Sequence, residues 1–380
     1  MARYENWGFF SGTQLALAPC MKIQPCPPVE GRRPDRFRPL FCPFSDCPAH
    51  HRKGGRSPFV RRGSFRRQSN PRRSVPRFRC GECGRTFSKQ TFACTYRLRR
   101  PELLQQVAGL LVAGAAHRQI ARQLDCSKST VARMAERIGR HAEQFHRSAC
   151  RSIRIKEPIS FDHFETFVRS QVERLAIGTA VGQKSWFVYD LSPAEYLRTA
   201  GRSLKKRPIS RQLNRDIDRS VSRATERCVR RLSSLAPDGL HWITDDHPAY
   251  RRAFNPRLRD RASRIVRSVF PNPDRSTEEG RIKARTRDRE MFPVDLLHKL
   301  LRHSQAHHRR ETIAFGRHSD RVMERTWVFA VWRNFVKLVT ERRPTQSTPA
   351  MRLGLTERRW TWPEILARRI FPSREGPVTN

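Results

Sequence analysis

Two groups of residues in this 380-residue chain are of types that hold metal ions. The first group is thiol. Cys42-Pro-Phe-Ser-Asp-Cys47 and Cys80-Gly-Glu-Cys83 are close pairs separated by a long gap. Four thiolates brought together hold one tetrahedral zinc ion. Gly81 and Gly84 let the second pair turn tightly, and Phe78, Phe87 and Phe92 supply an apolar cover. The spacing predicts a structural zinc ribbon with Cys42, Cys47, Cys80 and Cys83 as ligands. His50 and His51 are the other side chains able to stand in for a cysteine. Cys94, Cys126, Cys150 and Cys228 stand alone and read as core thiols. The second group is carboxylate: Asp162, Asp245 and Glu324. Phosphodiester cleavage and transfer deprotonate a water or a 3′-hydroxyl and stabilise a departing alkoxide. Two divalent metal ions about 4 Å apart serve both ends of that reaction when hard oxygen ligands hold them.

Those acids matter only if the chain brings them together. Ile159 to Val168 alternates and is rich in strand formers. Arg174 to Gly182 and Ser185 to Leu191 read as two more strands, and 209–235 as a long basic helix. Leu240 to Thr244 reads as a strand that ends in Asp245 and Asp246, with a helix start after it. Arg264 to Phe270 reads as a fifth strand. Leu296 to Leu301 and Ser319 to Leu338 read as helices. Three strands, helix, strand, helix, strand, helix is the order of an RNase H-like fold. There the first strand, the end of the fourth strand and a late helix each deliver one acid to one sheet edge. On the last helix, Val328, Ala330, Val331, Phe335 and Leu338 mark an apolar face, and Glu324 falls on it. Glu311 and Asp320 are its rivals as third acid. Glu311 precedes the helix, and Asp320 in the first turn suits the helix dipole.

Upstream, residues 117–138 read as a helix-turn-helix. Ile120, Ala121 and Leu124 form one apolar face, Asp125 to Ser127 breaks it, and Ser127 suits the next N-cap. Val131, Met134 and Ile138 continue at helical spacing, and Pro101 to Ala115 supplies a preceding helix. This places Lys128, Ser129, Thr130 and Arg133 at the helix start that enters a major groove. Between the cysteine pairs runs an arginine-rich stretch that includes Arg61, Arg62, Arg66 and Arg67. Residues 51–100 hold sixteen Lys or Arg and one acid, Glu82. A basic loop of this kind suits phosphate contact.

The chain resembles bacterial insertion-sequence DDE transposases that carry an N-terminal zinc ribbon and helix-turn-helix before an RNase H-like catalytic domain. The resemblance covers roughly 40–360. It rests on the two cysteine pairs, on Phe-Asp162-His-Phe-Glu-Thr-Phe, on Thr-Asp245-Asp-His-Pro-Ala-Tyr250, and on Arg-Glu-Thr-Ile-Ala-Phe315 leading to Asn334-Phe-Val. It implies that an Asp, an Asp-x4-Tyr and a helical Glu bind two magnesium ions and cut and join DNA. Double-stranded DNA, as element ends and target, is the implied partner, bound by a homo-oligomer. The expected layout is α/β and multidomain: a leader at 1–40, a zinc ribbon with basic loop at 41–98, and a three-helix helix-turn-helix domain at 99–150. An RNase H-like mixed sheet with flanking helices follows at 155–340, then a basic tail at 341–380 with a short helix near Trp362 to Arg369. The other readings are a zinc-ribbon and helix-turn-helix DNA-binding regulator without catalysis, and an RNA-processing enzyme of the same fold. Duplex-directed helix-turn-helix residues argue against the last.

Composition agrees with a polyanionic partner. Lys plus Arg number 77 against 35 acids, a formal charge of +42, far from that of an ordinary metabolic enzyme. A hydrophobic fraction of 37%, with 22 Phe and 7 Trp, is enough for a folded core. The longest apolar run, Val107 to Ala116, is about half a membrane span. No signal peptide is apparent at the N-terminus. A cytoplasmic, nucleoid-associated protein is expected, with its ten cysteines reduced.

Overall fold

The computed structural model describes residues 37–39, 41–44, 46–51, 56–67, 70–151, 153–197, 211–254, 264–310, 312–340 and 347–370. Residues 1–36 of the leader and Glu311 lie outside the described residues. The chain is mixed α/β with two sheets.

After a short helix α1 (Pro48–His51), strands β1 (Phe59–Arg67), β2 (Asn70–Cys80) and β3 (Thr86–Ser88) form an antiparallel sheet. The stretch expected as a basic loop is thus mostly a β-hairpin. Phe59, Phe65, Val75 and Phe78 punctuate its arginines, and Val75 and Phe78 are buried, which anchors the ribbon. Three helices follow: α2 (Leu103–Val112), α3 (His117–Gln123) and α4 (Lys128–Cys150). Ser127 caps α4 by accepting from the Thr130 amide at 3.1 Å, which offsets one orphan N–H of the first turn.

The second sheet holds β4 (Ile159–Val168), β5 (Ser170–Gly182), β6 (Val188–Leu197), β7 (Leu240–Thr244) and β8 (Ile265–Val269), in the order β6-β5-β4-β7-β8. The first three run antiparallel, whereas β7 lies parallel to β4 and β8 parallel to β7. Helix α5 (Arg211–Ser233) packs on β5 and β6, and α6 (Pro248–Ala253) follows β7. Next come α7 (Glu278–Glu290) and α8 (Phe292–Ser304), which packs on β4 and β5. Helix α9 (Ser319–Val331) continues into a wider turn at Trp332–Val336, where the Asn334 side chain bonds both the N–H and the C=O of Val188, each at 2.9 Å. That amide satisfies backbone groups on the outer strand β6.

The segment read as the C-terminal tail holds α10 (Pro349–Arg352) and α11 (Trp362–Leu366). Trp362, Ile365 and Leu366 are buried, and the Ile365 carbonyl bonds the buried His141 of α4 at 2.8 Å. One apolar core runs from Cys94 through the helices and the sheet to Leu366. Cys94, Cys150 and Cys228 are buried in it and Cys126 packs against it. Among the described residues, no helix is long and apolar enough to cross a membrane.

Candidate functional site

The four cysteines converge. Cys42 Sγ lies 3.8 Å from Cys83 Sγ, and Cys47 Sγ 3.7 Å from Cys80 Sγ. All four sulfurs lie within 4.8 Å of one another. Ligands about 2.3 Å from a tetrahedral zinc sit about 3.8 Å apart, so the donor set fits such an ion. Gly84 takes a left-handed φ of +69°, and a Cβ on Gly81 would stand 3.1 Å from the Pro58 carbonyl, so both glycines serve the turn. Phe78, Phe87 and Phe92 are buried against one another beside it. Burial pushes the Cys42 thiol up; at Cys83 burial is outweighed, chiefly by Arg85, and the thiol falls to about 7. Asp46 holds Arg85 in place at 2.7 Å. His50 bonds the Cys42 carbonyl through Nδ1, a supporting role rather than a ligand's.

The first two aspartates also meet. Strands β4 and β7 pair in parallel as Ile159↔Trp242, Ser160↔Ile243 and Phe161↔Thr244, so Asp162 and Asp245 are the next residues on adjacent strands. Burial pushes the Asp162 carboxyl up to about 7, and repulsion from Asp245 adds to the shift. Asp162 Oδ1 accepts from the His163 amide at 2.7 Å and from the Tyr250 hydroxyl at 3.2 Å. Because that hydroxyl gives its proton to Asp162, it accepts one from His163 Nδ1 at 2.8 Å. Tyr250, five residues after Asp245, is therefore a support for the first aspartate. Asp245 accepts from the His247 amide at 3.1 Å, and Arg267 of β8 bonds its backbone carbonyl at 3.0 Å. Asp246 is exposed and pairs with Arg251.

The third acid expected from the sequence goes elsewhere. Glu324 is buried, as its place on the apolar face of α9 required, but that face packs on α4 and not on the aspartate edge. Gly139 of α4 is the reason: a Cβ there would stand 2.8 Å from the Glu324 Cα, so the helices touch at that point. The Glu324 carboxylate takes both of its bonds, at 2.9 Å, from Arg321, which also reaches Glu136 of α4 at 3.0 Å. Asp320 is exposed in the first turn of α9.

A further acid whose field reaches the pair is Asp295, in the first turn of α8. Its charge also raises Asp162, and Arg287 of α7 grips it, at 2.5 Å to Oδ2. One helical turn on, His298 Nδ1 stands 3.8 Å from Asp162 Oδ2. Reading the helix from Leu296 left Asp295 just outside it. The spacing Asp295-x-x-His298, which puts two ligand-type side chains on one face, was the available signal.

Of the residues expected on DNA, Lys128, Ser129 and Arg133 are exposed on the first turns of α4, and Thr130 is half-buried. Arg61, Arg62 and Arg66 are exposed on β1, and Arg67 ends that strand. No protein-family model and no curated protein matches the chain.

Proposed function

We propose that this chain is a metal-dependent DNA transposase of the DDE type, with an RNase H-like catalytic domain, that cuts element ends and joins them to a target. The observation that carries the reading is the parallel pairing of β4 with β7, which sets Asp162 and Asp245 next to each other on adjacent strands. Like charges gathered in a half-buried place cost stability unless a cation or a proton offsets them. The strand order, with two parallel strands added beside the first of three antiparallel ones, supports the same fold reading. In this reading Asp295 of α8 is the third acid with Asp162 and Asp245, in the place the sequence analysis gave to Glu324.

Divalent cations such as magnesium, held by those carboxylates, would supply activation of the attacking oxygen and neutralise the leaving one. The chain's own residues prepare that site. Tyr250 and the His163 amide fix Asp162 Oδ1, Arg287 orients Asp295, and Arg267 fixes the backbone at Asp245. The exposed arginines of β1 and the start of α4 offer positive charge to the duplex backbone and a side-chain set to its major groove. The zinc ribbon would hold the β1–β2 hairpin in register through Cys80, the last residue of β2.

The test uses a plasmid that carries the DNA flanking the gene, incubated with the protein and magnesium or manganese. Strand breaks with 3′-hydroxyl ends at fixed positions are expected. Asp162→Asn, Asp245→Asn and Asp295→Asn each abolish them while gel-shift binding persists. Binding by the parent protein without any breaks would favour the non-catalytic regulator.

A further inference from the structure

We propose that His298 is itself a ligand of the divalent cation at this site, through Nδ1, and that it biases the site towards manganese over magnesium. The inference rests on the reading of Asp162 and Asp245 as metal-binding acids.

The tautomer follows from the hydrogen bonds. Thr179 Oγ1 donates its one proton to the Asp162 carbonyl at 2.9 Å. It must therefore accept from His298 Nε2, 2.7 Å away. In the neutral ring the proton then sits on Nε2 and the lone pair on Nδ1. That lone pair stands 3.8 Å from Asp162 Oδ2, beyond the roughly 2.7–3.2 Å of a hydrogen bond. Among the described residues, no donor reaches either atom. Two electron-rich atoms therefore face each other across a gap that is partly open to solvent, the His298 side chain being 15% and the Asp162 side chain 22% exposed. Buried Glu157, by contrast, takes the Lys184 and Ser185 amides and the Ser185 and Tyr189 hydroxyls.

A cation resolves the arrangement. The 3.8 Å gap is less than twice a metal–ligand bond of about 2.1 Å, as for two ligands of one ion. The Thr179 bond to Nε2 is the kind of outer contact that fixes the ring of a ligating histidine. Asp295 sits one turn before His298 on α8, so the acid and the imidazole share one face of that helix. An imidazole suits the later divalent metals, whereas magnesium keeps to oxygen ligands.

Zinc-loaded protein without DNA is titrated with Mn2+ and followed by electron paramagnetic resonance. The parent protein is expected to bind Mn2+ and to show nitrogen coupling in the pulsed spectrum. His298→Gln keeps an amide N–H for Thr179 but has no Nδ1. It is expected to lose the nitrogen coupling and to weaken Mn2+ by about tenfold or more, with a smaller loss for Mg2+ measured by competition. Bound Mn2+ without nitrogen coupling in the parent would overturn the role of His298 and leave the aspartate reading standing. No Mn2+ bound by the parent would overturn both. Should the variant fail to fold, the parent spectrum alone decides.

Discussion

Glu324→Gln tests where this carboxyl belongs and what it costs to keep it there. Burial pushes Glu324 up from 4.5 to about 7 in the folded protein, with Arg321 pulling the other way. Arg321 is itself held up by Glu324 and Glu136, so the pair attracts. Burial still wins at the carboxyl, whose side chain is 9% exposed. In the unfolded chain a glutamate titrates near 4.3. The folded protein thus binds this proton more tightly than the unfolded one. Below about pH 4 both states carry it and the residue costs nothing. As pH rises from there towards 7, the unfolded state sheds its proton first and stability is lost. Above about pH 7 the cost is constant. At about 1.4 kcal/mol per pH unit of difference, it reaches roughly 3 kcal/mol at pH 8 and falls to about 1 kcal/mol at pH 5. Glutamine keeps the shape and an oxygen for Arg321 but not the charge. The variant is expected to be more stable by up to that amount, roughly 5 °C in Tm at pH 8, with most of the gain gone at pH 5. Strand cleavage should persist. Thermal melts at the two pH values, with the plasmid cleavage assay beside them, read out both parts. A variant less stable than the parent at pH 8, or an equal gain at both pH values, would refute the burial cost. Loss of cleavage with DNA binding intact would return Glu324 to the catalytic acids.

Metal analysis of the purified chain should find one zinc, and Cys42→Ser together with Cys47→Ser should remove it; chelation should expose the β1–β3 sheet to limited proteolysis, since thiolate ligation couples metal to folding. Lys128→Ala with Arg133→Ala should weaken binding to the cognate end more than to random duplex, whereas neutralising Arg61, Arg62 and Arg66 should weaken both alike and flatten the dependence of affinity on salt. Gly139→Ala should cost about 1–3 kcal/mol by thermal denaturation, because the new methyl would overlap Glu324 and its backbone where α4 meets α9.

Elements with a clear period were legible. The alternation of Ile159 to Val168 marks β4, and the break at Asp125 to Ser127 marks the turn before α4. The cysteine spacing was legible for a chemical reason: few roles other than a shared metal call for two close pairs. The β1–β2 hairpin was not, because its arginines alternate with few apolar residues and the stretch reads as solvated. The short helix near Trp362 was legible in the tail, but its docking was not, because its partners lie more than 200 residues earlier, as His141 and Ile365 show.

The third acid was hidden for a different reason. Helical periodicity says that a side chain is buried; it does not say against which neighbour. Glu324 met the burial condition, and a charged residue on an apolar face asks for a partner. Arg321, one turn before it, was that partner, together with a gap opened by Gly139 on another helix. Asp295 met a weaker condition, since an acid in a first helical turn is accounted for by the helix dipole alone. Its proposed role depends on α8 lying against β4 and on Arg287 arriving from α7, both of them tertiary facts. The two strand acids needed no such information, because parallel pairing of β4 and β7 by itself sets Asp162 beside Asp245. A carboxylate at a strand end can therefore be placed from element order, whereas one on a helix needs the packing partner of that helix to be known.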